Sequence, residues 1–258
     1  MPHANFGMRS TPPVAACDWA LFFDLDGTLI DIADSPDRVD VPADLPVLLR
    51  QARDALGGCV ALLSGRSIAD LDRLLAPENF CAAGLHGAEI RLRPHGHIRR
   101  CAVPRWRSPL RREFMIIAEK NPGVWLEDKE LCLTLHYRAR PELGALLAEG
   151  VQIAVQEYAD TIEVVFGRKV LEIREKSFNK GRALKRIMHQ ADWSGRRPLV
   201  FGDDVTDEDA FRAVRELSGI AIAVGPVAKN ADYVFERPVD VRDWLRESFG
   251  PHIVGWQL

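Results

Sequence analysis

In the first and last thirds of the chain, apolar residues come in short unbroken runs. Such runs lie at Ala20–Asp24, Cys59–Leu63, Phe80–Leu85, Pro198–Gly202 and Gly219–Val224. Bounded by turn residues, they predict strands buried on both faces. Between them, apolar positions recur at helical spacing. Leu45, Leu48, Leu49, Ala52 and Leu56 share one face of a helix predicted over Ala43–Leu56, which Gly57 and Gly58 close. Further helices are predicted over Ser67–Leu75, Asn179–Gln190, Asp207–Leu217 and Val239–Ser248, with a short strand at Asp232–Phe235. Strands alternating with helices across short connections predict a parallel sheet.

The middle of the chain has a different rhythm. "GAEIRLRPHGHIRRC" alternates polar and apolar residues and turns at Pro94–Gly96, the pattern of a hairpin. "VWLEDKELCLTLHYR" and "TIEVVFGRKVLEIRE" alternate in the same way, next to helices predicted over Pro109–Lys120 and Pro141–Tyr158. Alternating strands with helices predict an antiparallel sheet covered on one side. The expected architecture is a doubly wound α/β core, Rossmann-like, over residues 1–103 and 177–258. A separate α+β domain is inserted at 104–176.

Composition narrows this picture. With 258 residues, 47% of them hydrophobic, the chain has enough apolar material for a sizeable core. A net charge of −3, from 34 basic and 37 acidic residues, leaves no footprint for nucleic acid and no polybasic membrane patch. No apolar stretch approaches the ~18 residues of a membrane span. The first residues lack a basic start followed by an apolar run, so no signal peptide is expected and residues 1–16 read as a loose tail. Cys17, Cys59, Cys81, Cys101 and Cys132 are odd in number, widely spaced and without a C-x-x-C pair. They read as free, buried thiols of a cytoplasmic protein rather than a disulfide framework or zinc site.

In open parallel sheets, ligands sit beyond the C-terminal ends of the strands. After the first predicted strand come Asp24, Asp26 and Thr28; after the second, Ser64, Gly65 and Arg66; after a later one, Asp203, Asp204 and Asp207. Lys180 and Gly181 open a helix, where backbone N–H groups are free to bind an anion. Carboxylates meeting at one sheet edge repel one another unless a cation sits among them, and an all-oxygen ligand set favours Mg²⁺. A carboxylate can also serve as a nucleophile toward phosphorus. Each element taken alone has a plainer reading. D-x-D-G is an ordinary turn, "DDVTDED" a helix start with Thr206 as its cap, Ser64-Gly65 a turn pair and Lys180 a solvated helix residue. Their coincidence at successive strand ends and helix starts points to phosphoryl transfer.

"DLDGT" (Asp24–Thr28), "LLSGR" (Leu62–Arg66), "NKG" (Asn179–Gly181) and "GDDVTDED" (Gly202–Asp209) resemble the four motifs of the haloacid dehalogenase superfamily. "LHGAEIR" (Leu85–Arg91), "EDKELCLTLHYR" (Glu127–Arg138) and "KVLEIREKSFNKG" (Lys169–Gly181) bring the resemblance closer to trehalose-6-phosphate phosphatases, over roughly Trp19 to Phe249. Two positions depart from the family pattern: Leu85 where Glu is frequent, and Glu175 where Pro is frequent.

The resemblance implies that Asp24 attacks phosphorus, and that Asp26 protonates the leaving sugar oxygen and then activates water. It implies Mg²⁺ held by Asp24, the main-chain carbonyl of Asp26 and Asp203, with Asp204 and Asp207 nearby. Thr28, Ser64, Gly65 and Lys180 would hold the phosphate. The inserted domain would act as a lid, with Glu127, Lys129, Arg138 and Glu172 as sugar ligands and His86 and Gly87 lining the interdomain cleft. The implied partners are trehalose 6-phosphate and, functionally, a trehalose-phosphate synthase. The same chemistry on a sucrose-phosphate or mannosylglycerate-phosphate type of substrate, or a catalytically inactive sugar-phosphate sensor, remain the alternatives. His95 and His97 flank Gly96 without an evident third metal ligand and read as a solvated turn. Trp106 and Trp125 could stack on a sugar or fill the lid's core, and the core is the expectation.

Overall fold

The computed structural model describes residues 12–13, 15–33, 38–167, 169–226 and 230–250. The chain forms two compact units, Met1–Ile98 with Lys180–Leu258, and Arg99–Asn179. The boundaries thus fall a few residues outside the expected insertion at 104–176.

The first unit is built on β1 (Trp19–Phe23), α1 (Leu45–Ala55), β2 (Val60–Leu63), α2 (Ile68–Leu74), β3 (Cys81–Gly84) and β4 (Glu89–Arg91). A short β5 (Arg99–Arg100) opens the second unit. After the inserted segment, which carries α3 (Arg107–Lys120), β6 (Trp125–Asp128), β7 (Leu133–His136), α4 (Gly144–Val155), β8 (Ile162–Gly167) and β9 (Val170–Glu175), the unit resumes. It continues with α5 (Lys180–Met188), β10 (Arg197–Gly202), α6 (Glu208–Glu216), β11 (Ile220–Val224), β12 (Tyr233–Phe235) and α7 (Pro238–Phe249).

The sheet order of the first unit is β12-β11-β10-β1-β2-β3-β4, parallel from β12 to β3 and antiparallel at β3–β4. β1 lies at the centre, with chain order running outward from it on both sides. That is the topological switch point where open α/β sheets bind ligands. Its residues are buried throughout, and Phe23 stacks on Phe201 of β10 at a centroid distance of 4.5 Å. Continuous burial explains why these strands show as unbroken apolar runs. α1 pairs with α7 and α5 with α6.

The expected loose tail over 1–16 lies for the most part outside the described residues. Its end is docked: Ala15 is buried and its N–H donates to the Ser248 hydroxyl, while the Pro13 carbonyl accepts from the Trp244 indole. All five cysteines are free thiols, but only Cys59, Cys81 and Cys132 are buried, and Cys17 and Cys101 are exposed. Among the described residues, no helix is long and apolar enough to cross a membrane.

The second unit is a four-stranded antiparallel sheet, β6-β7-β9-β8, with α3 and α4 supplying its apolar partners. Leu110 and Phe114 of α3 and Leu147, Val151 and Val155 of α4 pack with Leu133, Leu135, Leu171 and Ile173. Strand alternation then turns Thr134, His136 and Glu172 to the opposite face. The single long helix expected over Pro141–Tyr158 is an α-helix with a 3₁₀ turn at each end.

Candidate active site

The ends of β1, β2 and β10 are neighbours because β1 pairs with both other strands. This brings Asp24, Ser64 and Asp203 to one edge. All three are buried, as are Thr28, Lys180 and Asp207. The Asp24 N–H donates to the Phe201 carbonyl at 3.0 Å, extending the ladder one step beyond the apolar run.

The turn after Asp24 depends on Gly27. Its φ is +81°, and a Cβ there would sit 2.1 Å from an Asp203 carboxylate oxygen. Only glycine combines that backbone with that proximity. The Thr28 hydroxyl lies 3.5 Å from Asp203 Oδ1, at the limit of a hydrogen bond.

Lys180, 2% exposed, opens α5 and places its ammonium 2.9 Å from Asp24 Oδ1 and 2.7 Å from Asp207 Oδ1. The other Asp207 oxygen accepts the backbone N–H groups of Asp203 and Asp204, each at 3.1 Å. Asp204 caps the 3₁₀ turn Val205–Asp207, and Asp207 is the N-cap position of α6, so the cap expected at Thr206 is replaced. Both Asp207 oxygens are therefore taken by donors, and its role is to brace Lys180 and the Asp203–Asp204 backbone.

Ligand oxygens of Asp24, Asp203 and Asp207 lie within 4.8 Å of one another. Burial pushes the Asp24 carboxyl well above the usual carboxylate range; Lys180 opposes this, while Asp207, Asp203 and Asp26 add to it. Burial works against the Lys180 charge as well, but Asp207 and Asp24 outweigh it and raise its pKa. Three buried carboxylates meet there beside the Lys180 ammonium. An all-oxygen, buried, electron-rich cluster fits a hard divalent cation.

The Asp26 carboxylate, close enough to Asp24 to raise its pKa, is held by Arg66. Arg66 Nε donates to Asp26 Oδ2 at 2.6 Å and a terminal nitrogen to Oδ1 at 2.7 Å, a bidentate fork. The Arg66 backbone N–H donates to Ser64 Oγ at 3.1 Å, which leaves the Ser64 hydroxyl proton for another acceptor. Next to this turn, Leu85, His86 and Gly87 all adopt positive φ, at 48°, 56° and 105°. Two consecutive non-glycine residues in that region are strained, a mark of functional turns. Gly65 makes room for them, since a Cβ on it would lie 2.8 Å from His86 Nε2.

In the second unit, Glu127, Lys129 and Glu172 come together. The Lys129 ammonium is 3.6 Å from Glu127 and 3.9 Å from Glu172. Glu127 also accepts from or shares a proton with His136 Nε2 at 2.9 Å. Burial raises the Glu127 pKa, but His136 and Lys129 outweigh it and hold the carboxyl below its ordinary value. Arg138 lies in a turn beyond the end of β7 rather than on a strand beside Glu172, whose cross-strand partners are Thr134 and Val165. Trp106 fills the core as expected, at 3% exposure. Trp125 does not: it is 45% exposed and stacks on His136. Its alternation with Leu126, which packs inward, puts it on the same face as Glu127. His95 and His97 are both exposed.

Comparison with known proteins agrees with this geometry. A family model described as trehalose-phosphatase matches residues 22–237. A probable trehalose-phosphate phosphatase of Sinorhizobium fredii is 40% identical over 209 residues, covering 81% of this chain and 78% of that protein. Trehalose-6-phosphate phosphatase of Escherichia coli is 36% identical over 239 residues, covering 92% and 89%. The solved C-terminal domain of C. albicans trehalose-6-phosphate phosphatase superposes with a TM-score of 0.80 at 26% identity, covering 90% of this chain and 92% of that one.

Proposed function

Because the chain belongs to the trehalose-phosphatase family of the haloacid dehalogenase superfamily, we propose that it is a Mg²⁺-dependent phosphatase. It hydrolyses trehalose 6-phosphate to trehalose and phosphate through an aspartyl-phosphate on Asp24. The observation that carries this reading is the buried cluster of Asp24, Asp203, Asp207 and Lys180 where β1 and β10 end.

In the first half-reaction Asp24 attacks phosphorus and the bond to the sugar oxygen breaks. Asp26 gives that oxygen a proton. In the second half-reaction water attacks the phosphorus of the aspartyl-phosphate, Asp26 takes back a proton, and phosphate leaves with Asp24 restored. Because both Asp26 oxygens accept from Arg66, Asp26 gives up at least one of those bonds to do this work. Lys180, Thr28 and Ser64 bind the phosphate oxygens, with the backbone at Gly65 alongside. Asp24, Asp203 and the Asp26 carbonyl hold Mg²⁺, which supplies positive charge to the phosphoryl oxygens when bound. Asp204 and Asp207 keep those ligands in place. His86 and Gly87 shape the turn beside the phosphate, and the Arg99–Asn179 unit serves as the lid that reads the sugar, through Glu127, Lys129, Arg138 and Glu172. The enzyme works in the cytoplasm on the product of a trehalose-phosphate synthase, its functional associate.

Phosphate release with Mg²⁺ over a panel of sugar phosphates tests the proposal. Trehalose 6-phosphate should be the preferred substrate. Preference for a sucrose-phosphate or mannosylglycerate-phosphate type would reassign the substrate, and binding without turnover would make the chain a sensor.

A further inference from the structure

Trp125 has no place in the chemistry above, yet it is built into the face that carries Glu127 and Glu172. Its indole and the His136 imidazole lie parallel, at 2° and a centroid separation of 3.8 Å. His136 is in turn held through Nε2 by Glu127 at 2.9 Å. The stack covers one face of the indole. The residue as a whole is 45% exposed. Register places the polar residues next to it: Trp125 pairs with His136, and one strand step of about 7 Å away Glu127 pairs with Thr134, which pairs with Glu172. The Lys129 ammonium reaches both glutamates. Thr134 is 2% exposed, and among the described residues its hydroxyl has no hydrogen-bond partner.

A fixed aromatic ring beside clustered donors and acceptors of both signs suits one chemical class. An anionic or cationic ligand would meet like charge from the glutamates or from Lys129. A neutral polyhydroxy ring offers hydroxyls at its edge to the polar row and a C–H face to the indole. We propose that Trp125 is a sugar-stacking, specificity-determining residue, held in position by His136 and Glu127, for the disaccharide part of the substrate. This rests on the sugar-phosphatase reading and names a contact that the charged residues of the unit do not supply.

The test compares the full-length chain with Trp125→Ala and Trp125→Phe. On trehalose 6-phosphate with Mg²⁺, Trp125→Ala should raise KM roughly three- to tenfold, the size of one aromatic contact, with kcat unchanged. Trp125→Phe, which keeps a ring, should recover most of the loss. With p-nitrophenyl phosphate, which carries no sugar, KM should not change. An unchanged KM for the sugar phosphate, or an equal rise on both substrates, overturns the stacking role. If the parent ignores trehalose 6-phosphate but hydrolyses another sugar phosphate, the functional reading has failed, and the same comparison on that substrate decides the stacking role. A titration with trehalose, followed by intrinsic fluorescence, needs no turnover. The chain has six tryptophans, so the variant identifies the reporter. The sugar-dependent change should vanish in Trp125→Phe, and its persistence counts against the proposal.

Discussion

The Lys180 ammonium joins Asp24 and Asp207 in one buried ion pair network, at 2.9 and 2.7 Å. Removing it leaves two buried carboxylates without their cation. Breaking a buried pair from one side costs about 3–5 kcal/mol. Lys180→Met should therefore lose about that much stability in urea unfolding without metal, and Mg²⁺ should return part of it by binding the electron-rich cluster. Unchanged stability in the variant would mean that the network is solvated rather than buried.

Asp24→Asn separates chemistry from stability. Turnover should fall on the order of 10³-fold or more, because the covalent step disappears. Burial raises the Asp24 pKa, so the folded state is strained by the charge that the variant removes, and Asp207 still pairs Lys180. Without metal, the variant should be at least as stable as the parent. With metal, the parent should gain melting temperature and the variant should gain far less. Parent-like turnover in a sequence-verified variant would place the nucleophile elsewhere.

Gly27→Ala tests the turn. The new methyl falls 2.1 Å from Asp203 Oδ2 at a φ of +81°, so Asp203 must move. Displacing a reacting or metal-binding group by about 1 Å costs on the order of 10²-fold in kcat/KM. The Mg²⁺ concentration for half-maximal rate should rise in parallel. A variant with the parent's rate and metal requirement would remove Asp203 from the site.

The parallel core was legible because full burial writes strands as unbroken apolar runs, and the polar residues after them, Asp24, Ser64 and Asp203, meet where those runs predicted. The Asp26–Arg66 fork was not legible, since nothing in "SGR" says that a guanidinium reaches back 40 positions to a turn. Asp207 carried two signals at once, a helix start and an acid of the site, and the structure gives it both duties. Trp125, expected in the core, lies outside it. Its parity was the better guide: 125, 127 and 129 alternate with Leu126, so the tryptophan belongs with Glu127 on the polar face. The tertiary pairing of His136 with Trp125 depends on β6–β7 register, which pattern alone leaves open.

Glu127 gives the second unit a pH signature. Its folded pKa lies below the ordinary value, because His136 and Lys129 outweigh the penalty of burial. The bound form is the anion, so its stabilisation is full above the unfolded value of about 4.3 and is lost as pH falls from there through the lower folded value. Glu127→Gln should be less stable than the parent near neutral pH, with the gap closing below about pH 4. A gap that is constant or widens in acid would show that His136 and Lys129 do not stabilise the carboxylate.

Lys129 and Glu172 test whether the second unit reads the sugar. The Lys129 ammonium sits between two carboxylates, 3.6 Å from Glu127 and 3.9 Å from Glu172. Lys129→Ala and Glu172→Ala should each weaken kcat/KM on trehalose 6-phosphate by about 1–3 kcal/mol per lost polar contact, while p-nitrophenyl phosphate hydrolysis stays near the parent's. The double variant should lose less than the sum, because the two side chains act as one unit. Parallel losses on both substrates would mean that these residues support the fold and that the sugar is read elsewhere.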